Sequence, residues 1–366
     1  MRDLIQQNAA VWLALGGLVI GMAFGAIIFA TNFCAMGAIS DLLALGDWRR
    51  FRAWLLAAAV ALVGTQLLAA GDIVPLSKSM YLGLNLNWFG NIAGGLMFGC
   101  GMVFAGGCAS RNLARAGGGD LRSLLTLVVL GLFAYMTIGG LLAPVRSWFD
   151  AATSINLGGL SASLTTQGLG QVFGAVTRMG AGWGNLVVTS AIAGAVALYC
   201  FTDASFRQSR PHLAAGIGIG LCAVAGWAVT GLAFDDLADK PTMPVSLTFV
   251  RPTGDAIEWL QRFTAGQMPG FGVASVFGTI LGAFIAAKAM GRFRLATFSD
   301  VADTRRSLLG AALMGVGGVM ALGCTMGQAI TGVSTLAIGS FLTFAALIAG
   351  GVLGVKRLEA SLMAED

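Results

Sequence analysis

The segment GGLMFGCGMVFAGGCASRNLARAGGG, residues 94–119, joins a glycine-punctuated apolar run to a Gly-Gly-Cys sequence and a short polar tail. The same pattern returns 216 positions later, where Gly310 stands for Gly94 and Cys324 stands for Cys108. The shift also superimposes Gly99 on Gly315, Gly101 on Gly317, Val103 on Val319, Ala105 on Ala321 and Gly107 on Gly323. A thiol that follows the same glycine pattern twice indicates an internal duplication.

The composition is that of a membrane protein. Hydrophobic residues make up 57% of the chain and charged residues 11%, against about 25% charged in an average soluble domain. Apolar runs long enough to cross a bilayer recur along the sequence, and the 54 glycines suit close helix packing in lipid. The basic sequence pI of about 9.1 does not indicate nucleic-acid binding, because the arginines lie in short loops between apolar runs.

We therefore predict an all-α polytopic membrane protein with about nine transmembrane helices. The predicted spans are roughly 10–31, 52–70, 88–106, 121–143, 181–201, 212–234, 269–290, 306–323 and 335–355. Segments 31–47, 109–118 and 325–334 are too short to span and are predicted to be half-membrane helices. An amphipathic stretch from Asp255 to Phe263 is typical of an interfacial helix.

The loop charges predict the orientation of the chain. With nine spans, one side of the membrane receives 7 Lys and Arg residues and the other receives 15, which together account for all 22. The positive-inside rule then predicts an outer N-terminus and a cytoplasmic C-terminus.

The spacing of the two Gly-Cys sequences predicts an inverted repeat. Cys108 follows the third predicted span and Cys324 follows the eighth, so an odd number of spans separates them and the two copies face opposite sides. We predict a single membrane domain over 1–366, with a first repeat at 8–143, a connector containing the fifth span at 144–210, and a second repeat at 211–355. Inverted repeats with interrupted helices place a substrate site near the membrane midplane in many transporters.

Each Gly-Cys sequence is a candidate substrate site. Gly107 and Gly323 permit a helix break, and the polar residues after each thiol can cap a new short helix; these are Ser110, Asn112, Thr325 and Gln328. Two facing helix N-termini would form an anion site. In the alternative interpretation, the glycines only allow close helix crossing and the cysteines fill space. The duplication and the polar residues favour the functional interpretation.

The remaining candidates have weaker sequence support. Cys34 lies beside the first interrupted segment, but the second repeat has no matching cysteine, so the repeat does not assign it a function. Three further cysteines lie in apolar spans and are predicted to be packing residues: Cys100, Cys200 and Cys222. Arg111 and Arg115 share a helix face, where they either attract an anion at the inner mouth or serve only as positive-inside charges.

Several chemistries lack the residues they need. No CxxC sequence is present, His212 is the single histidine, and the acidic residues lie mostly in loops, so neither a metal site nor a His-dependent catalytic site is predicted. No phosphate-binding loop follows a strand, because the sequence has no convincing strands. We predict no cofactor, no nucleic-acid partner and no direct use of ATP.

Three motifs, TNFCAMGAISD, GGCASRNLARAGGG and GVGGVMALGCTMGQAITG, resemble the YeeE/YedE family of bacterial inner-membrane sulfur transporters over nearly the whole chain. The resemblance implies an hourglass-shaped protein of nine spans, with inverted halves and short helices that meet at its waist. It also implies thiosulfate uptake past Cys34, Cys108 and Cys324, and delivery to a small cytoplasmic sulfur-carrier or sulfurtransferase protein. The chain departs from the family pattern at Arg111, where glycine is common, and at Gln328.

The mechanism predicted from these residues is a relay. The terminal sulfur of thiosulfate would pass from thiol to thiol through S–H···S contacts, while helix N-termini offset the sulfonate charge. Three alternatives are open: transport of another sulfur or selenium compound, a membrane sulfurtransferase that forms a cysteine persulfide, and a structural subunit. The lack of an acid or base beside the thiols argues against an enzyme, and the inverted duplication argues against a purely structural subunit.

Overall fold

The computed structural model describes residues 2–159, 164–236, 242–265, 268–298 and 300–363. Lys240, which contributes to the predicted charge asymmetry, lies outside these ranges. The α-helices are α1 (Arg2–Gln7), α2 (Ala9–Thr31), α3 (Ala35–Leu45), α4 (Arg49–Ala70), α5 (Trp88–Phe104), α6 (Ala109–Gly117), α7 (Leu121–Ile138), α8 (Ala143–Thr153), α9 (Leu169–Thr177), α10 (Ala181–Phe201), α11 (Ala204–Gln208), α12 (Arg210–Ala233), α13 (Arg251–Gln261), α14 (Phe271–Ala289), α15 (Val301–Met320) and α16 (Ile338–Met363).

The shorter elements lie between these helices. A π-helical stretch, here called the π segment (Gly327–Gly332), continues into a 3-10 turn at Val333–Thr335. Other 3-10 turns lie at Leu76–Lys78, Leu157–Gly159 and Phe263–Ala265. Strands β1 (Asn85–Leu86) and β2 (Ile155–Asn156) form one short antiparallel pair, with Asn85 opposite Asn156, which the sequence did not predict.

The helices confirm the prediction of an all-α polytopic membrane protein. In the described ranges, eight helical stretches are long and apolar enough to cross a membrane. The other predicted span, 306–323, falls on α15, which is 20 residues long but has the charged residues Asp303, Arg305 and Arg306 in its first two turns. Because of these charges α15 is not apolar enough to be counted as a span. The helix packs against α5 and α7.

Segment 144–180 has more structure than its Ser- and Gly-rich sequence suggests. It contains most of α8 and all of α9. Helix α8 is amphipathic and is fixed to the start of α5 by two contacts. Asn87 donates a hydrogen bond to Asp150, and the rings of Phe89 and Phe149 stack with their centroids 5.1 Å apart. These tertiary contacts stabilise a helix that has too few apolar residues to be predicted as a span.

Helices α5 and α15 cross in the middle of the molecule through glycines. A side-chain Cβ at Gly94 would lie 2.5 Å from the carbonyl oxygen of Gly317, and one at Gly101 would lie 2.7 Å from that of Gly310. The reverse contacts, from Gly317 to Gly94 and from Gly310 to Gly101, are both 2.6 Å. The duplicated glycines therefore form a reciprocal contact in which the two backbones touch.

The contacts between helices stay the same when the two halves of the chain are exchanged. Helix α2 packs on α14 and α4 packs on α12, while α5 packs on α16 and α7 packs on α15. The short elements form equivalent contacts as well. Helix α3 packs on α4 as α13 packs on α14, and α6 packs on α14 as the π segment packs on α4. Replacing each first-half element by its second-half equivalent converts each contact into another of the set. Two inverted halves require this pattern, and it supports the proposed division at 8–143 and 211–355.

Candidate functional site

Each half of the chain contains two short helical elements, and each of the four begins directly after a cysteine or its equivalent. Helix α3 starts after Cys34, α6 after Cys108 and α13 after Val250, while a helical turn that leads into the π segment starts after Cys324. Val250 stands 216 positions after Cys34, so a valine occupies the place of the cysteine that is missing from the second repeat.

The turns that precede the two duplicated cysteines have the same backbone shape. Gly106 has a φ angle of 67° and Leu322, its equivalent in the second repeat, has a φ angle of 59°. This left-handed conformation is easy for glycine and unfavourable for leucine. The turn is therefore kept in the second copy at some energetic cost.

The cysteines themselves occupy the positions that cap the new helices. Cys34 Sγ accepts a hydrogen bond from the backbone N–H of Gly37 at 3.4 Å, and Cys324 Sγ accepts one from Gly327 at 3.3 Å. Cys108 is the N-cap of α6, and its Sγ lies 3.2 Å from the Ser110 hydroxyl. A sulfur atom at each position thus faces the free N–H groups of a helical first turn.

Of the four polar side chains predicted to cap these helices, Asn112 and Gln328 make other hydrogen bonds. The amide nitrogen of Asn112 instead donates to the carbonyl oxygens of Gly107 at 2.8 Å and Cys108 at 3.2 Å. The amide nitrogen of Gln328 donates to the carbonyl oxygen of Ala321. The helix break leaves these backbone carbonyl oxygens without a helical partner. The side-chain amide of each residue donates a hydrogen bond to them instead.

A small central cavity brings together the sites predicted from separate parts of the sequence. Cys34 and Cys108 both line this cavity, together with Thr325, which is next to Cys324. Its lining residues carry no charge; they are Phe33, Cys34, Ala35, Trp54, Cys108, Ser110, Thr325, Met326 and Ile330. Cys108 and Cys324 are 2% and 0% exposed, whereas Cys34 is partly exposed.

Two larger cavities flank the central cavity. The Arg251 vestibule, of about 390 Å³, is lined by residues that include Met80, Arg146, Thr248, Val250, Arg251, Asp255, Leu322 and Gly323. The Arg122 vestibule, of about 200 Å³, is lined by residues that include Gly106, Asn112, Arg115, Arg122, Asp303 and Arg306.

The chain passes directly from each vestibule to the central cavity. Gly323 lines the Arg251 vestibule and Thr325 lines the central cavity, so Cys324 stands between them. In the same way Gly106 lines the Arg122 vestibule and Cys108 lines the central cavity, with Gly107 between them. The two Gly-Cys turns are therefore the partitions between the three cavities.

The two arginines that share a face of α6 have different environments. Arg115 forms an ion pair with Asp120 at 2.6 Å and donates to the carbonyl oxygen of Gly106 at 3.0 Å. Arg111 donates to the side-chain oxygen of Asn32 at 2.8 Å and to the carbonyl oxygen of Ile28 at 3.4 Å, and both acceptors are neutral. Its charge acts on the thiols of Cys34 and Cys108. Arg111 is thus better placed than Arg115 to attract an anion.

The cysteines predicted to be packing residues lie away from these cavities. Cys100 Sγ donates to the carbonyl oxygen of Gly350 at 3.2 Å, and Cys200 Sγ donates to that of Arg52 at 3.4 Å. Cys222 is buried on α12. In the described part of the chain, no group of three His, Cys, Asp or Glu side chains is arranged to hold a metal ion.

Two lining residues had no sequence signal. Trp54 follows the start of α4 by little more than one turn, where a tryptophan is typical of the membrane interface, yet it contacts Phe344 edge-on and lines the central cavity. Thr248 lies in a loop before α13 and lines the Arg251 vestibule. Only the three-dimensional meeting of the two halves brings these residues to the path.

Comparison with known proteins agrees with this arrangement. The family model described as sulphur transport matches residues 30–353. The chain belongs to the sulphur transport family. It is 28% identical over 339 residues to the thiosulfate transporter TsuA of Spirochaeta thermophila, covering 91% of this chain and 96% of that protein. It is also 28% identical over 337 residues to the thiosulfate transporter TsuA of Escherichia coli K12, covering 87% of each. The YeeE/YedE resemblance of the cysteine motifs is therefore confirmed.

Proposed function

We propose that this protein carries thiosulfate across the bacterial inner membrane, from the Arg251 vestibule through the central cavity to the Arg122 vestibule. The observation that carries the proposal is the position of the three thiols. Cys34 and Cys108 meet in the central cavity, and Cys324 stands in the partition next to it. Relatives named as thiosulfate transporters align over most of their length and support the same substrate.

The central cavity suits a small anion that must leave water briefly. Removing an anion from water is costly unless the protein supplies partners. Carboxylates would repel it, and the lining residues contain none. The first-turn N–H groups beside Cys34, Cys108 and Cys324 provide partial positive charge to hold the anion.

The thiols provide the contacts for the terminal sulfur of thiosulfate. A neutral S–H group is a weak donor, so each contact is easily exchanged for the next. Cys324, in the partition beside the Arg251 vestibule, is the first thiol, and Cys34 and Cys108 share the central cavity beyond it. Arg111, beside the last two thiols, favours movement of the anion toward the Arg122 vestibule.

The orientation completes the proposal. The uneven loop charges favour an outer N-terminus and a cytoplasmic C-terminus, and in that orientation the Arg251 vestibule is the outer entrance. A small sulfur-carrier or sulfurtransferase protein would receive thiosulfate at the cytoplasmic Arg122 vestibule. We assign transport rather than sulfur transfer, because the lining of the central cavity includes no histidine, carboxylate or lysine to act as an acid or base.

Replacement of single thiols tests this function in cells that lack another route for thiosulfate. Cys108→Ala and Cys324→Ala should abolish growth on thiosulfate as the sole sulfur source, because each removes one station of the relay. The matched control Cys100→Ala removes a thiol that bonds only to Gly350 and should grow like the unmodified strain. Undiminished growth of both relay variants, at normal expression, would contradict the thiol path.

The same variants separate transport from sulfur transfer. A transporter leaves thiosulfate intact, so labelled thiosulfate should appear unchanged inside the cell or vesicle. A sulfurtransferase would instead leave a persulfide on Cys108 or Cys324, detectable by mass spectrometry, and would release sulfite.

A further inference from the structure

The partition between the Arg251 vestibule and the central cavity contains more donors than the thiol. Cys324 Sγ accepts a hydrogen bond from the N–H of Gly327 at 3.3 Å, and the backbone N–H groups of Phe249 and Met326 lie close to this sulfur. Phe249 comes from the loop before α13, and its ring stacks on Phe24 of α2 with centroids 5.0 Å apart. Two separate parts of the chain therefore direct backbone N–H groups to one buried point.

Tyr81 adds a buried hydroxyl at the same place. Tyr81 is 2% exposed, and its hydroxyl has no hydrogen-bond partner in the described part of the chain. That hydroxyl lies next to the Thr248 side chain and near the Cys324 thiol. The ring is held by an edge-on contact with Trp227, with centroids 6.4 Å apart. A buried phenol without a partner destabilises the folded protein, so its retention requires another benefit.

Thr248 connects this hydroxyl to the vestibule. Its side chain lines the Arg251 vestibule and packs directly against Gly327, where a side chain would collide with the threonine hydroxyl. One hydroxyl therefore faces the vestibule and the other lies behind it, beside the thiol. An anion that moves inward from the vestibule meets Thr248 first and Tyr81 next.

We propose that Tyr81 and Thr248 form, with the N–H groups around Cys324, a binding site for the oxyanion end of the substrate at the outer partition. The inference rests on the proposed transport of thiosulfate and adds a site to it. The sulfonate oxygens accept from the two hydroxyls and the N–H groups, while the terminal sulfur contacts the Cys324 thiol. A bound anion would give the Tyr81 hydroxyl a charged acceptor.

The site also distinguishes the two ends of the substrate. Hydroxyl and N–H donors favour oxygen acceptors, whereas a thiol suits the polarisable terminal sulfur. Sulfate offers a fourth oxygen in place of that sulfur and so loses the thiol contact. The site therefore orients thiosulfate before it enters the relay, with its terminal sulfur toward Cys324.

Thiosulfate binding to the purified full-length protein, measured by isothermal titration calorimetry in detergent, tests this site. Tyr81→Phe keeps the ring contact with Trp227 and should raise the Kd for thiosulfate about tenfold or more, because it removes a donor to a charged group. Thr248→Val should act similarly, while Thr248→Ser keeps the hydroxyl and should bind like the unmodified protein. Tyr199→Phe, on the exposed face of α10, is the matched control and should leave the Kd unchanged.

Uptake into proteoliposomes, measured on the same variants, separates this inference from the proposed function. If the unmodified protein takes up thiosulfate while Tyr81→Phe and Thr248→Val keep its Kd within about twofold, the hydroxyl site is overturned and the function stands. If the variants lose binding but no form of the protein takes up thiosulfate, the site stands and transport is contradicted. Thermal unfolding of each variant shows whether a change in Kd reflects a lost donor or a damaged fold.

Discussion

A cysteine at a helix N-cap performs two tasks with one atom. Serine or aspartate would cap the helix more strongly, since oxygen accepts a hydrogen bond better than sulfur does. Sulfur at Cys34 and Cys324 therefore costs some helix stability, and under the proposed function it supplies a polarisable atom for the substrate. Burial of Cys108 and Cys324 also protects their thiols from oxidants in solution.

Two different sequence signals identify these three cysteines. The repeat identified Cys108 and Cys324, because the same glycine pattern precedes both. Only the family resemblance assigned Cys34 to the path, since its equivalent in the second half is Val250. Tyr81 could not be found, because an isolated tyrosine in a polar loop has no periodicity, and its hydroxyl acquires meaning only beside Cys324.

Arg111 gives a prediction at this scale. Arg111→Gln should lower the kcat/KM of thiosulfate uptake about tenfold, because the uncompensated charge beside Cys34 and Cys108 attracts the anion. Arg111→Lys should retain part of the activity. The control Arg305→Gln removes an exposed charge of α15 and should have no effect. Uptake rates that fall equally in both Gln variants would show that net charge, rather than the position of Arg111, is responsible.

At the scale of elements, the two interpretations of the glycine pattern prove compatible. The glycines do allow close crossing of α5 and α15, through the reciprocal contacts of Gly94 with Gly317 and Gly101 with Gly310. The same crossing positions the two turns that end in cysteine. The sequence predicted the repeat from these glycines, but it could not predict which glycine touches which, because contacts between distant helices depend on how both are tilted.

A matched pair of glycine substitutions tests this contact. Gly101→Val would place side-chain atoms against the backbone of α15 and should lower the unfolding free energy by about 1–3 kcal/mol. Gly194 on α10 has open space around its Cα, so Gly194→Val should change stability little. Thermal unfolding of the purified proteins in detergent measures both. Equal stability of the two variants would contradict a tight α5–α15 crossing.

At the scale of the whole molecule, an exchange of the two halves preserves the packing of the helices. Charge counts and span lengths predicted the polytopic architecture because both follow directly from the cost of placing polar groups in lipid. They could not predict α8 and α9, which lie in Ser- and Gly-rich sequence and are stabilised by contacts with α5 and α10. The predicted connector is therefore the part of the chain whose structure the sequence predicts least well.

Uptake of labelled thiosulfate by the purified protein in proteoliposomes tests the central claim most directly. We expect saturable uptake that is abolished by excess unlabelled thiosulfate, weakly inhibited by sulfate and eliminated by Cys108→Ala. The absence of uptake by correctly folded, unmodified protein, or undiminished uptake by Cys108→Ala, would contradict it.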